Sequence, residues 1–520
     1  MRKVGKALTR LGLAALLSVV LAVSARGGGR PSAMALGSDT LLVVGGNSIY
    51  RISVETLASV SDATTNIEPI PVGKELTDVT HVVSDQFVVA DAGQQSLIGL
   101  MGSNPSEISF RCKLKVVPNH VRASVDGRSV CVSSTWDRAA QIVRLSDSGE
   151  APITHQPIPL GFEPGWLLAL PNHRFLVADA FGNHLAVIDA NKQSVVATHT
   201  IQGHQIRGLT LSADSSHVLL AHQLLSRVAR TDRDDIHWGS LIQSVVSKFP
   251  LAALDLANHE FRQAIEKHSI GDTGEGFADP VDIAHHGGSE AVLSMGARQL
   301  LIRNDQGHEY RAVTGRRPIE MIATAEERLV VLNEQDGTLS VFLWDSPELE
   351  ATIVLRNIEP PAPGEVAFFD ANLSHDRWLS CNSCHVDGHT PGLLADTFGD
   401  GTFRTPKRIP TLLGVADTPP YGWTGNRPDL ESQIAATIES TMRGRSVPPQ
   451  TSRALSDYLR QLRRPIKAER SAISNTNVES AIHNGQQLFK SLRCVECHQP
   501  PHFTSSLVKD VGLQDERGHR

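Results

Sequence analysis

Phe175-Leu-Val-Ala-Asp-Ala-Phe-Gly-Asn-His-Leu185 reads as an apolar strand, a turn of Asp, Gly and Asn, and the start of a second strand. β-Branched and aromatic residues bounded by such turn formers are the signature of a hairpin. The same theme recurs at Leu41–Tyr50, Phe87–Leu97, Val130–Trp136, Val218–His222, Ala291–Gly296 and Leu329–Gly337. Matching points fall near residues 45, 90, 132, 178, 221, 293 and 332. Most intervals are ~40–45 residues, the length of one β-propeller blade. Seven points predict seven blades over residues 36–358; an array of two-sheet sandwiches would show similar strands. Each blade would bury its faces on its neighbours and leave only short edges exposed. The one long interval holds Leu241, Ile242, Val245, Val246, Leu254, Phe261 and Ile265 at spacings that read as helical. It predicts a helical insertion near 236–270.

Either side of the repeat the chain changes character. Arg2, Lys3, Lys6 and Arg10 precede an apolar run from Leu11 to Val23, with small residues at Val23-Ser-Ala25. This is the pattern of a secretory signal peptide over residues 1–25, with cleavage as late as Ala35 an option. The run is too short to span a bilayer comfortably. An exported, periplasmic protein that is not integral to the membrane is expected. The net charge of −7 gives no basic surface for nucleic acid.

After the Pro-rich joint Glu359-Pro-Pro-Ala-Pro-Gly364 the strand rhythm stops. The pentapeptide Cys-x-x-Cys-His then appears twice, as Cys381-Asn-Ser-Cys384-His385 and Cys494-Val-Glu-Cys497-His498. Two thiols at this spacing can each add to a porphyrin vinyl group, and the histidine that follows is placed to ligate the iron. A four-cysteine zinc site usually separates its pairs by ~15–20 residues. The distance from 381 to 494 is far greater, and zinc leaves both histidines unexplained. Two covalently bound haem c groups are therefore expected, with His385 and His498 as proximal ligands. Cys112 and Cys131 fall in the strand-rich part, where buried small hydrophobes or one disulfide are the readings. The adjacent pair His285-His286 would point to opposite faces of a strand, which argues against a metal pair.

Around the first motif run Phe403-Arg-Thr-Pro406, Pro410-Thr-Leu-Leu-Gly414 and Tyr421-Gly-Trp-Thr-Gly-Asn-Arg-Pro-Asp-Leu430-Glu-Ser-Gln433. This order of elements resembles the bacterial di-haem cytochrome c peroxidase and MauG superfamily. It looks closest to a subgroup with a YVTN-like propeller fused in front. The resemblance covers roughly 365–520 and implies a first haem domain at 365–465 and a second at 475–520. Leu430, Ile434 and Ile438 fit one helix stripe and Leu455, Leu459 and Leu462 another; Thr476–Glu479 has the form of a capping box. The chain reaches Arg520 soon after His498, where the family continues with a further turn and ligand, so the second domain reads as truncated.

The resemblance implies that one haem meets hydrogen peroxide while the other relays electrons from a small cytochrome or cupredoxin. A peroxidase needs an open sixth iron site and acid–base groups beside it. His389 and Met442 are the candidate sixth ligands, with His502 a weaker one. Glu439 is the candidate acid–base residue, although it follows Gln433 more closely than the family pattern has it. Trp423 and Trp378 are candidates for electron transfer between haems. A non-enzymatic electron-transfer or redox-sensing protein, its propeller docking a partner, is the competing expectation.

Overall fold

The computed structural model describes residues 29–59, 65–146, 151–346, 348–463, 476–507 and 509. The expected signal peptide lies outside them. Among the described residues, seven antiparallel sheets follow one another around a ring. Their innermost strands are Pro31–Leu36, Leu76–His81, His120–Ala123, Pro164–Leu170, His204–Leu211, Pro280–His286 and Pro318–Ala323. The seven points found in the sequence are the second strands, from Thr40–Gly45 in blade one to Arg328–Asn333 in blade seven. These strands read as unbroken apolar runs because neighbouring blades bury both of their faces. Leu41 and Val43 pack with Val330 and Leu332 on one side of blade one, and Leu42 and Val44 pack with Val79 and Phe87 on the other. Each such side chain contributes ~1.5–3 kcal/mol by leaving water.

The ring closes on itself. Thr65–Ile67, which follows the short helix α1 (Val54–Ser59), adds a parallel fifth strand to the outside of blade seven beside Ile353–Leu355. On the inner strands, carboxylates join neighbouring blades. Asp78 Oδ2 accepts from the Val121 amide at 2.8 Å, Asp282 Oδ2 from Met321 at 2.8 Å, and Glu320 Oε2 from Met34 at 2.7 Å.

Two expectations need correction. The propeller starts ahead of residue 36: Pro31–Leu36 is its first strand and pairs with Leu41–Gly45. Residues 31–35 therefore belong to blade one. The stretch 236–270 is not a helical insertion. Helix α2 (Arg233–His237) leads into the nine-residue strand Ile242–Pro250, and helix α3 (Asn258–Gln263) precedes the strand Glu266–Ile270. These are the third and fourth strands of blade five. Ile242, Val245 and Val246 mimic a helix stripe because the strand is buried on both faces, which erases its alternation.

Cys112 and Cys131 are buried free thiols in separate core clusters. His286 stacks on Trp344, and His285 lies opposite Glu290 on the neighbouring strand.

Beyond the propeller come helices α4 (Pro363–Phe368), α5 (Cys381–Cys384), α6 (Leu430–Ala436) and α7 (Pro449–Gln461). Asp429 caps α6 through a 2.8 Å bond from the Ser432 amide. A π-helical turn, Thr437–Thr441, extends α6. Helix α8 (Thr476–Ser491) precedes the second motif. No helix among the described residues is long and apolar enough to cross a membrane.

Candidate haem sites at the propeller mouth

Helix α5 is one turn long and carries both thiols of the first motif, with the His385 amide bonded to the Cys381 carbonyl at 2.9 Å. His385 Nδ1 lies 3.0 Å from the Pro410 carbonyl oxygen. A carbonyl only accepts, so Nδ1 carries the proton and Nε2 is left as the ligand atom. Burial lowers the His385 pKa to about 4, which keeps the ring neutral as ligation requires. Burial likewise pushes the Cys381 and Cys384 thiols up to about 12. The second motif repeats the device: His498 Nδ1 lies 3.0 Å from the Phe503 carbonyl oxygen. Apolar side chains gather about the first motif. Leu412, Leu413, Leu430, Ile434, Leu455 and Leu459 share one core with Cys381. Paired thiols, a neutral imidazole with Nε2 free and apolar surroundings fit haem c at this position.

The first motif is seated in the propeller mouth, a placement that sequence reasoning missed. Ser380 and Ser383 donate their hydroxyls to the two oxygens of Asp279, both at 2.6 Å. His204 Nε2 donates to the Ser383 carbonyl at 2.8 Å. Asn382 and Ser383, inside the motif, are fully buried. Burial raises the Asp279 pKa, and the two hydroxyls only partly offset it. Outside this contact runs an ion network. Arg207 pairs with Asp387 at 2.5 Å, Arg30 with Glu365 at 2.7 Å, and Arg317 with Glu334 at 2.9 Å and Glu365 at 3.4 Å. Burial opposes the charge on Arg317, but Glu334, Asp387 and Glu365 outweigh it and raise its pKa. Buried charges are tolerable only when paired in this way.

The remaining candidates are spread out. His389 donates or accepts through Nδ1 with Thr411 Oγ1 at 2.8 Å, next to the Pro410 carbonyl that holds His385. Its ring meets Phe181 edge-on at 4.8 Å and Trp136 at 5.6 Å, so it bridges the motif to blades three and four. Met442 is buried in the core shared with α6 and α7. Its carbonyl accepts from the His375 amide at 2.9 Å. Trp378 is wedged against the propeller, where a Cβ on Gly276 would lie 2.5 Å from its Cα. Trp423 is 51% exposed. Glu439 sits on the π turn, exposed, accepting from Ser446 Oγ at 2.6 Å. Gln433 reaches Thr437 on the same helix at 3.0 Å. His502 lies 3.8 Å from Asp417.

Residues 362–492 match the family model of di-haem cytochrome c peroxidase. This segment belongs to that family. Similar curated proteins include cytochrome c551 peroxidase of Pseudomonas aeruginosa, 29% identical over 124 residues, which are 23% of this chain and 36% of that protein. Methylamine utilization protein MauG of Methylorubrum extorquens is 28% identical over 190 residues, 30% of this chain and 54% of that protein. The chain thus spans between 36% and 57% of the length of the curated relatives it matches. In fold, it is similar to Kuenenia stuttgartiensis hydrazine synthase, with a TM-score of 0.50 and 12% identity over 64% of this chain and 99% of that one. The peroxidase-family match ends just ahead of Cys494, so the second motif stands on its own geometry.

Proposed function

We propose that the chain is an exported di-haem c-type cytochrome, a peroxidase/MauG-like oxidoreductase in which one haem meets hydrogen peroxide and the other relays electrons. The observation that carries this reading is the repeated device at His385 and His498. In both, the histidine directly after a Cys-x-x-Cys pair commits its Nδ1 to a backbone carbonyl. When bound, each haem supplies one-electron redox chemistry. The chain's own part would be to fix the proximal imidazole, surround the motif with apolar side chains and supply a group that can hold a proton. Glu439 is the group proposed to hold that proton. Its carboxylate reaches solvent, and its bond from Ser446 fixes one oxygen. Trp423, half exposed in the loop before α6, is proposed as a point of contact for a small donor cytochrome or cupredoxin.

The competing reading, a non-enzymatic module whose propeller docks a partner, has less support. The mouth of the ring is covered by the chain's own haem unit through Asp279, His204 and Arg207. A partner would be left with the opposite face or the blade rims.

The deciding experiment is the EPR and optical spectrum of protein matured where c-type haem is attached, oxidised and then half-reduced. A high-spin ferric signal in either state, with rapid change on adding peroxide, supports the peroxidase reading. Two low-spin haems in both states, inert to peroxide, leave electron transfer alone. Absence of a covalent haemochrome ends both. Glu439→Gln is expected to slow peroxide turnover ~10²-fold or more while leaving the haem spectra unchanged.

A further inference from the structure

Where blade five meets the start of the haem unit, away from the Cys-x-x-Cys-His motif, two histidines and one aspartate converge. His237 ends helix α2 of blade five, and His375 and Asp376 lie on the segment leading to the first motif. His237 Nδ1 is 2.7 Å from Asp376 Oδ2, and His375 Nε2 is 3.5 Å from the same oxygen. One donor atom from each residue lies within 4.8 Å of the others. Donors ~2.0–2.2 Å from a tetrahedral zinc ion stand ~3.3 Å apart, so only small rotations of the three side chains are needed.

The backbone around the cluster is braced from both sides. The Gly276 amide donates to the Asp376 carbonyl at 2.7 Å, the Gly274 amide to the His237 carbonyl at 3.0 Å, and the His375 amide to the Met442 carbonyl at 2.9 Å. The neighbouring cation is diverted: Arg377 pairs with Glu275 at 3.2 Å. The side chains of His237, His375 and Asp376 are 43%, 27% and 22% exposed, which leaves room for a water or a further ligand.

We propose that His237, His375 and Asp376 form a binding site for a divalent first-row transition ion, zinc by donor type, that staples blade five of the propeller to the haem unit. Two imidazole nitrogens and a carboxylate oxygen suit zinc better than calcium or magnesium, which prefer all-oxygen sets.

The test is calorimetric titration of the haem-loaded full chain, freed of loose metal with EDTA, using zinc chloride. One zinc per chain is expected, with affinity falling at least tenfold in each of His237→Ala, His375→Ala and Asp376→Asn. Zinc-edge absorption should show two imidazoles. His237 is the most exposed of the three, so its variant keeps the fold, checked by unchanged haem and far-ultraviolet spectra. Failure of the wild type to take up zinc, or wild-type affinity in all three variants, overturns the site. Neither result depends on peroxide activity.

Discussion

Asp279 ties the first Cys-x-x-Cys-His motif to the propeller. It is fully buried and accepts two 2.6 Å hydroxyl bonds from Ser380 and Ser383. Alanine there leaves both hydroxyl protons without their acceptor, at a cost of about 3 kcal/mol. Asp279→Ala should therefore lower the urea midpoint read at the Soret band, and Asp279→Asn, which keeps an acceptor, should recover part of it. Glu320 gives a prediction in pH. Burial, with Asp78 and Asp282 nearby, raises its pKa from 4.5 to about 8. A carboxyl raised on folding favours the fold below its unfolded pKa, and that contribution is lost as pH climbs towards the folded value. The slope approaches about 1.4 kcal/mol per pH unit. Glu320→Gln keeps an acceptor for the Met34 amide. It should match the wild type near pH 4.5 and become the more stable of the two by pH 8, as calorimetry at both values would show. His385 and His498 stood out in the sequence as candidates because each directly follows its Cys-x-x-Cys pair. Asp279 did not, since its partners are a hundred positions away and leave no local pattern.

Among elements, legibility followed repetition and failed where burial hid the period. The second strands of all seven blades stood out because each is an unbroken apolar run ending in a turn. Ile242–Pro250 was misread because Ile242, Val245 and Val246 are buried from both sides. Helices α6 and α7 showed their stripes plainly, since each presents one apolar face to a core. What the stripe does not reveal is how closely α4 and α7 approach. A Cβ on Gly364 would collide with the Ala454 carbonyl, so the crossing needs glycine at that point. Gly364→Val should force the two helices apart at a cost of about 1–3 kcal/mol. The expected sign is a lower urea midpoint, read alike at the Soret band and at the 218 nm sheet signal.

At the scale of the molecule, propeller and first haem unit share one core. Leu293 and Met295 of blade six and Val331 and Phe342 of blade seven join Phe368, Trp378, Leu430 and Leu455 in a single cluster. Buried ion pairs close the same seam, and Arg30 reaches Glu365 across 335 positions of sequence. Such pairings carry no sequence signal, which is why two domains were legible and their fusion was not. A shared core couples unfolding: neither side can open without exposing the other's apolar surface. The sheet signal at 218 nm and the near-ultraviolet signal of the buried Trp378 should therefore melt together in the full chain. A chain ended at Ile358 leaves the seam in water with Arg30 and Arg317 stripped of Glu365, and should melt at least several degrees lower. Two separate transitions, with the sheet melting unchanged in the shortened chain, would mean that the haem unit is only tethered to the ring. The geometry at Asp279 would then be a contact the ring does not depend on.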